Sequence, residues 1–177
     1  MDRTLVFVYG TLKRDFPNYG LIEDLIRSGD ASFVAAGRTA TRLPLVVGPW
    51  GIPFLLPIPG SGRRVSGELF AVSACGLGRI DYLEGIGRGH YERLPVAVVP
   101  NSSGGEDGEE DDAAEAVEAE AYYAHRTYAA EMWRRSGEKG LRVYLEKDAL
   151  GYVRPKDRQR DTTFLGQIQI FLASGED

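Results

Sequence analysis

Between residues 4 and 124 the chain returns repeatedly to short runs of β-branched and aromatic residues, and it adopts a helical period only twice. The segments "TLVFVY" at 4–9, "ASFVAAGRTA" at 31–40, "TRLPLVVG" at 41–48, "RVSGELFAV" at 64–72, "YERLPVAVVP" at 91–100 and "VEAEAYYA" at 117–124 all read as strands. The first is apolar at nearly every position, as a central strand covered on both faces should be. Helical spacing is confined to "YGLIEDLIRSG" at 19–29 and "ACGLGRIDYLEG" at 74–85. In the first, Leu21, Ile22, Leu25 and Ile26 share a face and Gly29 stops the pattern. In the second, Ser73 stands at the N-cap, Leu77, Ile80 and Leu83 recur, and Gly85 ends the run, which puts Glu84 at a helix C-terminus. The Pro- and Gly-dense interval 49–62 reads as an irregular connection around a brief apolar piece, "IPFLLPI". Strands and helices do not alternate as a doubly wound sheet requires, and no repeat is visible. The pattern predicts an α+β fold: a small mixed β-barrel flanked by helices.

The strands at 91–100 and 117–124 should pair as a hairpin with an enlarged loop. Residues 101–116, "NSSGGEDGEEDDAAEA", mix Gly and Ser with like charge and lack apolar periodicity, so they are expected to form a flexible acidic insertion. Nine of the 26 acidic residues lie between Glu106 and Glu120, where there is no Lys or Arg, so the net charge of −5 is concentrated there. The remaining chain is mildly basic with scattered cations, which argues against a nucleic-acid partner. The acidic loop could bind a basic protein partner, but a tolerated surface insertion is the favoured account of it. No apolar run approaches the roughly 20 residues of a membrane span, and Met1 to Thr4 leads into a strand rather than a signal peptide. The expected location is cytoplasmic, without membrane association. Residues 1–128 are expected to form the domain. Residues 129–177 read as a C-terminal extension packed on it, with helical patterns at 127–140 and 162–175 and mixed signals between.

Several chemistries are excluded by inspection. "GTLKR" lacks the spacing of a phosphate-wrapping loop, "GLGRID" falls inside a helical pattern, and no nucleophile elbow is present. The single cysteine, Cys75, reads as a small buried hydrophobe. His90 and His125 lack metal-ligand spacing and read as surface or hydrogen-bonded structural residues, so no metal and no organic cofactor is expected.

"VYGTLKR" at 8–14, "LPLV" at 43–46, "GELFAV" at 67–72, "IDYLEG" at 80–85 and "YERLPVAV" at 91–98 together resemble the γ-glutamylcyclotransferase-like family. The likeness is closest to its γ-glutamylamine cyclotransferase and avirulence-induced-gene-like branch, and it spans residues 4–128. It implies a small β-barrel flanked by helices, a substrate cradle of backbone amides at Tyr9, Gly10, Thr11 and Leu12, and Glu84 as the acid/base. Tyr91 is then either a core aromatic or a ring lining the pocket, while Glu92 and Arg93 read as exposed charges.

The implied reaction releases 5-oxoproline and a free amine from a small γ-glutamyl substrate, an amine derivative or a peptide. The substrate's own α-amino group attacks the γ-carbonyl carbon, so tethering supplies much of the rate. One carboxylate can take the proton from that amine and return it to the leaving group. Consecutive N–H groups at Tyr9 to Leu12 suit an anion, either the α-carboxylate or the developing oxyanion, and Gly10 lets a ligand approach the backbone. The reading from another class is a binding module that holds a small carboxylate or a protein partner without turnover. A hydrolase on the same scaffold is a third.

Overall fold

The apolar run that opens the chain becomes β1 (Thr4–Val8), in which Val6, Phe7 and Val8 are all buried. The structure, a computed structural model, describes residues 2–101 and 115–174. The elements that follow are α1 (Tyr19–Arg27), β2 (Ala31–Thr39), β3 (Leu45–Val47), β4 (Pro53–Leu55), β5 (Ser66–Val72) and α2 (Ala74–Leu83). After these come β6 (Tyr91–Pro100), β7 (Val117–Ala124), α3 (Arg126–Arg135), α4 (Glu146–Ala149) and α5 (Phe164–Ala173). Five strands close on themselves in the order β1-β5-β2-β6-β7, with a parallel β7–β1 contact at Val6 and Glu120 completing the ring. All other pairings around the ring are antiparallel. This is the expected mixed barrel.

Two apolar clusters explain why β1 has no polar face. Phe7 and Tyr9 join Leu69, Val96, Val98, Ala121 and Tyr123 in one cluster, while Val6 and Val8 join Ile22, Leu25, Phe70 and Ile80 in the other, which includes the helices. Side chains alternate across a strand, so a strand between two apolar layers must be apolar throughout. Each large side chain so buried contributes about 1.5–3 kcal/mol.

The β3–β4 hairpin adds to the barrel where β1 departs. It meets β7 in parallel at Leu55 and Tyr123, three residues beyond the Val6–Glu120 contact, so β1 and β4 share one edge of β7. The expected strand over 41–48 shortens to Leu45–Val47, and β4 emerges within the interval read as irregular. Pro44, Pro49 and Pro53 confine pairing to three residues on each side, and Trp50 takes a left-handed φ of 58° to turn the chain between them.

β6 and β7 pair as the expected hairpin, with Val98 opposite Val117. Most of the acidic insertion, residues 102–114, lies outside the described residues. Beyond β7, α3 buries Tyr128, Ala129, Met132 and Trp133, and α5 buries Ile168. Between them, residues 140–161 hold only a four-residue helix and a 3₁₀ turn at Pro155–Asp157. No described helix is long and apolar enough to cross a membrane. Cys75 departs from expectation and is exposed. Gly76 and Ile80 form the buried face of α2, and Cys75, a residue earlier, is rotated away from it.

Candidate active site

α2 begins where the Ser73 hydroxyl accepts from the Gly76 N–H at 3.1 Å and donates to Asp30 at 2.8 Å. It ends with Glu84 at the C-cap and Gly85 in the left-handed region at φ 63°. A Cβ on Gly85 would fall 2.5 Å from the His90 ring, so glycine is required by both backbone and packing. This stop delivers Glu84 to a cavity of about 1150 Å³ bounded by α2, the turn after β1, the β3–β4 hairpin and residues from 152 to 164.

Glu84 is half-buried and opens onto that cavity. Desolvation, and after it the negative charge of Asp81, raise its carboxyl to a pKa of about 7. Tyr9, Tyr91, Tyr122 and Tyr128 all feel its charge, and burial foremost raises their phenols. Each of the four hydroxyls nevertheless donates elsewhere. Tyr9 donates to the Tyr122 carbonyl, Tyr91 to the Pro53 carbonyl at 3.3 Å, Tyr122 to Asp81 at 2.6 Å and Tyr128 to the His90 carbonyl. Among the described residues no side chain donates to the Glu84 carboxylate, which leaves it available to a ligand's proton. Asp81, one turn earlier, is itself held by Arg93, whose Nε lies 3.0 Å away and whose Nη1 pairs with Glu120 at 2.5 Å. Arg93 is therefore half-buried behind the site rather than the exposed charge expected, because β6 sets it opposite Tyr122.

The turn after β1 supplies the other side. Its N–H groups at Gly10, Thr11 and Leu12 have no backbone or side-chain acceptor among the described residues. The turn is held by its own neighbours. Lys13 N–H donates to the Gly10 carbonyl at 3.1 Å, Asn18 N–H donates to the Thr11 carbonyl at 2.8 Å, and Asn18 Nδ2 donates to the Thr11 hydroxyl at 2.9 Å. Buried Lys13 donates to the Tyr144 carbonyl at 2.6 Å, which ties the turn to the C-terminal part of the chain. Consecutive N–H groups without an acceptor among the described residues are suited to binding an anion. What a Cβ at Gly10 would meet is Pro53, at 2.4 Å, so glycine here makes room for the β4 hairpin.

The expected site residues thus fall into two sets. Glu84 and the Gly10–Leu12 turn line the same cavity. The Tyr9 side chain turns into the core, where its hydroxyl bridges strands. Tyr91 is both of the things read for it: buried and stacked on Phe54 at 5.4 Å, it also lines the cavity. His90 stacks on Phe164 at 4.2 Å, and His125 caps α3 by accepting from the Thr127 N–H. No described group of three or more His, Cys, Asp or Glu is placed to hold a metal.

Sequence reasoning missed the contribution of residues 152–164. Tyr152, Arg158 and Phe164 line the cavity, and the Tyr152 hydroxyl accepts from Asn18 Nδ2 at 3.0 Å. Only the density of aromatic and basic residues in an otherwise patternless stretch hinted at this.

The profile of the family described as "Gamma-glutamyl cyclotransferase, AIG2-like" matches residues 6–141. An Arabidopsis thaliana protein named "Putative gamma-glutamylcyclotransferase" is 50% identical over 173 residues, covering 97% of this chain and 92% of that protein. "Gamma-glutamylaminecyclotransferase C" of Danio rerio is 32% identical over 148 residues, 81% of this chain and 94% of the relative. The crystal structure of an AIG2-like protein from Mus musculus superposes with a TM-score of 0.72 at 29% identity, covering 90% of this chain and all of that one.

Proposed function

Because the chain belongs to the γ-glutamyl cyclotransferase, AIG2-like family, we propose that it releases 5-oxoproline and a free amine from a γ-glutamylamine or γ-glutamyl peptide. The observation that carries this reading is the cavity shared by Glu84, whose carboxyl is raised to about 7, and by Gly10, Thr11 and Leu12, whose amides have no partner among the described residues.

The steps balance within one substrate. Glu84, ionised, takes a proton from the α-ammonium. The freed nitrogen lone pair attacks the γ-carbonyl carbon, forming the ring C–N bond, and the carbonyl electrons move to oxygen. Collapse re-forms the carbonyl and breaks the bond to the leaving nitrogen, which takes the proton from Glu84; the regenerated carboxylate then takes the second proton from the ring nitrogen, leaving the neutral lactam, and passes it to the released amine, which departs as an ammonium. Water is neither consumed nor produced. A carboxyl near pH 7 exchanges protons in both directions at neutral pH, which a carboxyl of ordinary acidity does poorly. The Gly10–Leu12 amides bind the negative charge of the glutamyl end, and the buried tyrosines keep the dielectric low around it.

The test is incubation with a panel of γ-glutamyl amides in ¹⁸O-water, followed by mass spectrometry. The expected product is unlabelled 5-oxoproline, equimolar with free amine. Labelled glutamate would show hydrolysis and overturn the assignment, and unchanged amides with retained binding would favour a carboxylate-binding module.

A further inference from the structure

We propose that Tyr152 is a positioning residue whose hydroxyl, by fixing Asn18, sets the turn that carries the Gly10, Thr11 and Leu12 amides. The proposal rests on the γ-glutamyl cyclotransfer reading of the site. It gives a part in substrate binding to a segment that lies beyond residues 6–141, the span matched to the family.

Asn18 stands at the N-cap of α1, where an asparagine side chain ordinarily accepts from a free N–H of the first turn. It makes no such bond. Its side-chain Nδ2 instead donates to the Thr11 hydroxyl at 2.9 Å and to the Tyr152 hydroxyl at 3.0 Å. Both hydrogens of that amide are thereby used, one toward the turn and one toward the C-terminal segment, so the side chain acts as a strut between them. The Asn18 backbone N–H also donates to the Thr11 carbonyl at 2.8 Å, and Thr11 is therefore held at two points by one residue. Thr11, Asn18 and Tyr152 all line the cavity.

The far end of the strut is anchored. The Tyr152 N–H donates to the Ala149 carbonyl at 3.0 Å, and the Val153 N–H donates to the Trp50 carbonyl at 2.9 Å. Arg158 donates through Nε to the Val153 carbonyl at 2.9 Å and through Nη2 to the Tyr152 hydroxyl at 3.4 Å. A Cβ on Gly51 would fall 2.5 Å from the Gly151 carbonyl carbon, so the segment lies directly against the β3–β4 connection. A cradle of backbone amides binds best when its geometry is set before the ligand arrives, because ordering it on binding subtracts from affinity. Without the Tyr152 hydroxyl, Asn18 loses one of its two acceptors and the turn loses its tie to this platform. None of these bonds involves α2 or Glu84, so the loss should fall on binding rather than on proton transfer.

The experiment measures KM and kcat for γ-glutamylmethylamide with wild type, Tyr152→Phe, Asn18→Ala and the double variant. Tyr152→Phe keeps the ring beside Arg158 and should raise KM by about 3- to 10-fold, the worth of one net hydrogen bond, with kcat within about twofold of wild type. Partial unfolding would lower the apparent kcat and leave KM in place, so this split separates positioning from lost stability. Asn18→Ala removes the strut without removing a helix cap and should raise KM at least as far. In that background Tyr152→Phe should add nothing, because Tyr152 reaches the turn through Asn18. An unchanged KM in Tyr152→Phe overturns the proposal, as does a fall in kcat at constant KM. Additive effects in the double variant would mean that the hydroxyl acts independently of Asn18, and overturn it too. If no γ-glutamyl amide yields 5-oxoproline, the cyclotransfer reading fails on its own, and calorimetric binding of γ-glutamylmethylamide to the same four proteins decides Tyr152. Affinity weakened in Tyr152→Phe and no weaker in the double variant than in Asn18→Ala supports the strut, whereas equal affinities, or none measurable in wild type, overturn it.

Discussion

The Tyr9 hydroxyl donates to the Tyr122 carbonyl and accepts from the Leu55 N–H at 3.4 Å, so one side chain joins β7 to β4 at the level where β1 leaves the barrel. It satisfies backbone groups that a departing strand would otherwise leave buried and unpaired. Tyr9→Phe removes both interactions without creating a large cavity. We expect a loss of about 1–3 kcal/mol in urea unfolding, with a smaller change in KM. A variant as stable as wild type but unable to bind substrate would instead place the hydroxyl on the ligand.

Gly10 has a packing reason as well as a chemical one. Its ideal Cβ would lie 2.4 Å from Pro53 Cγ, and Pro53 is buried with little freedom to move. Gly10→Ala should therefore destabilise the protein by about 1–3 kcal/mol through overpacking while also shifting the cradle amides and raising KM. Thermal unfolding with substrate titration checks both, and an unchanged Tm together with an unchanged KM would contradict the clash.

Asp81 acts on Glu84 through charge, adding to the rise that burial begins. Asp81→Asn keeps an acceptor for the Tyr122 hydroxyl but removes that charge. The acidic limit of the kcat/KM profile, expected near pH 7 in the wild type, should move to lower pH. A limit that stays in place would mean the Asp81 charge is not felt at Glu84.

The same raised pKa has a consequence for stability. Glu84 ionises near 7 in the folded protein and near 4.5 when unfolded, so folding favours its protonated form. Its contribution is fully present below about pH 4.5 and is lost as pH rises through 7. Glu84→Gln carries no such penalty and should be more stable than wild type by about 1–3 kcal/mol at pH 8, with the difference shrinking toward pH 4.5. Parallel unfolding curves for the two proteins across that window would contradict the burial of this carboxyl.

The barrel strands were legible because each carries its own pattern: β1 is apolar on both faces, and β6 and β7 are aligned by register across an enlarged loop. The position of Glu84 was legible because Ser73 and Gly85 bracket α2 and fix what stands at its end, while its role as acid/base was implied only by the family resemblance. The role of residues 152–164 was not. Tyr152 and Arg158 are placed by contacts to Asn18 and Trp50, more than a hundred residues away, and no local periodicity encodes such docking. Arg93 was misread for a related reason, since its burial depends on Asp81 from α2 and Glu120 from β7. Cys75 was misread because one residue of rotation on α2 separates the buried face from the exposed one.

The central claim is that the Glu84 carboxyl moves the proton between the attacking and leaving nitrogens. Glutamine in its place keeps the size and most of the hydrogen-bonding capacity but cannot exchange a proton near neutral pH. The direct measurement is 5-oxoproline formation at saturating γ-glutamyl substrate by wild type and Glu84→Gln, with circular dichroism confirming that both are folded. A fall in kcat of at least about 10²- to 10⁴-fold, with KM moving far less, is the predicted result. A folded Glu84→Gln protein turning over at close to the wild-type kcat would contradict it.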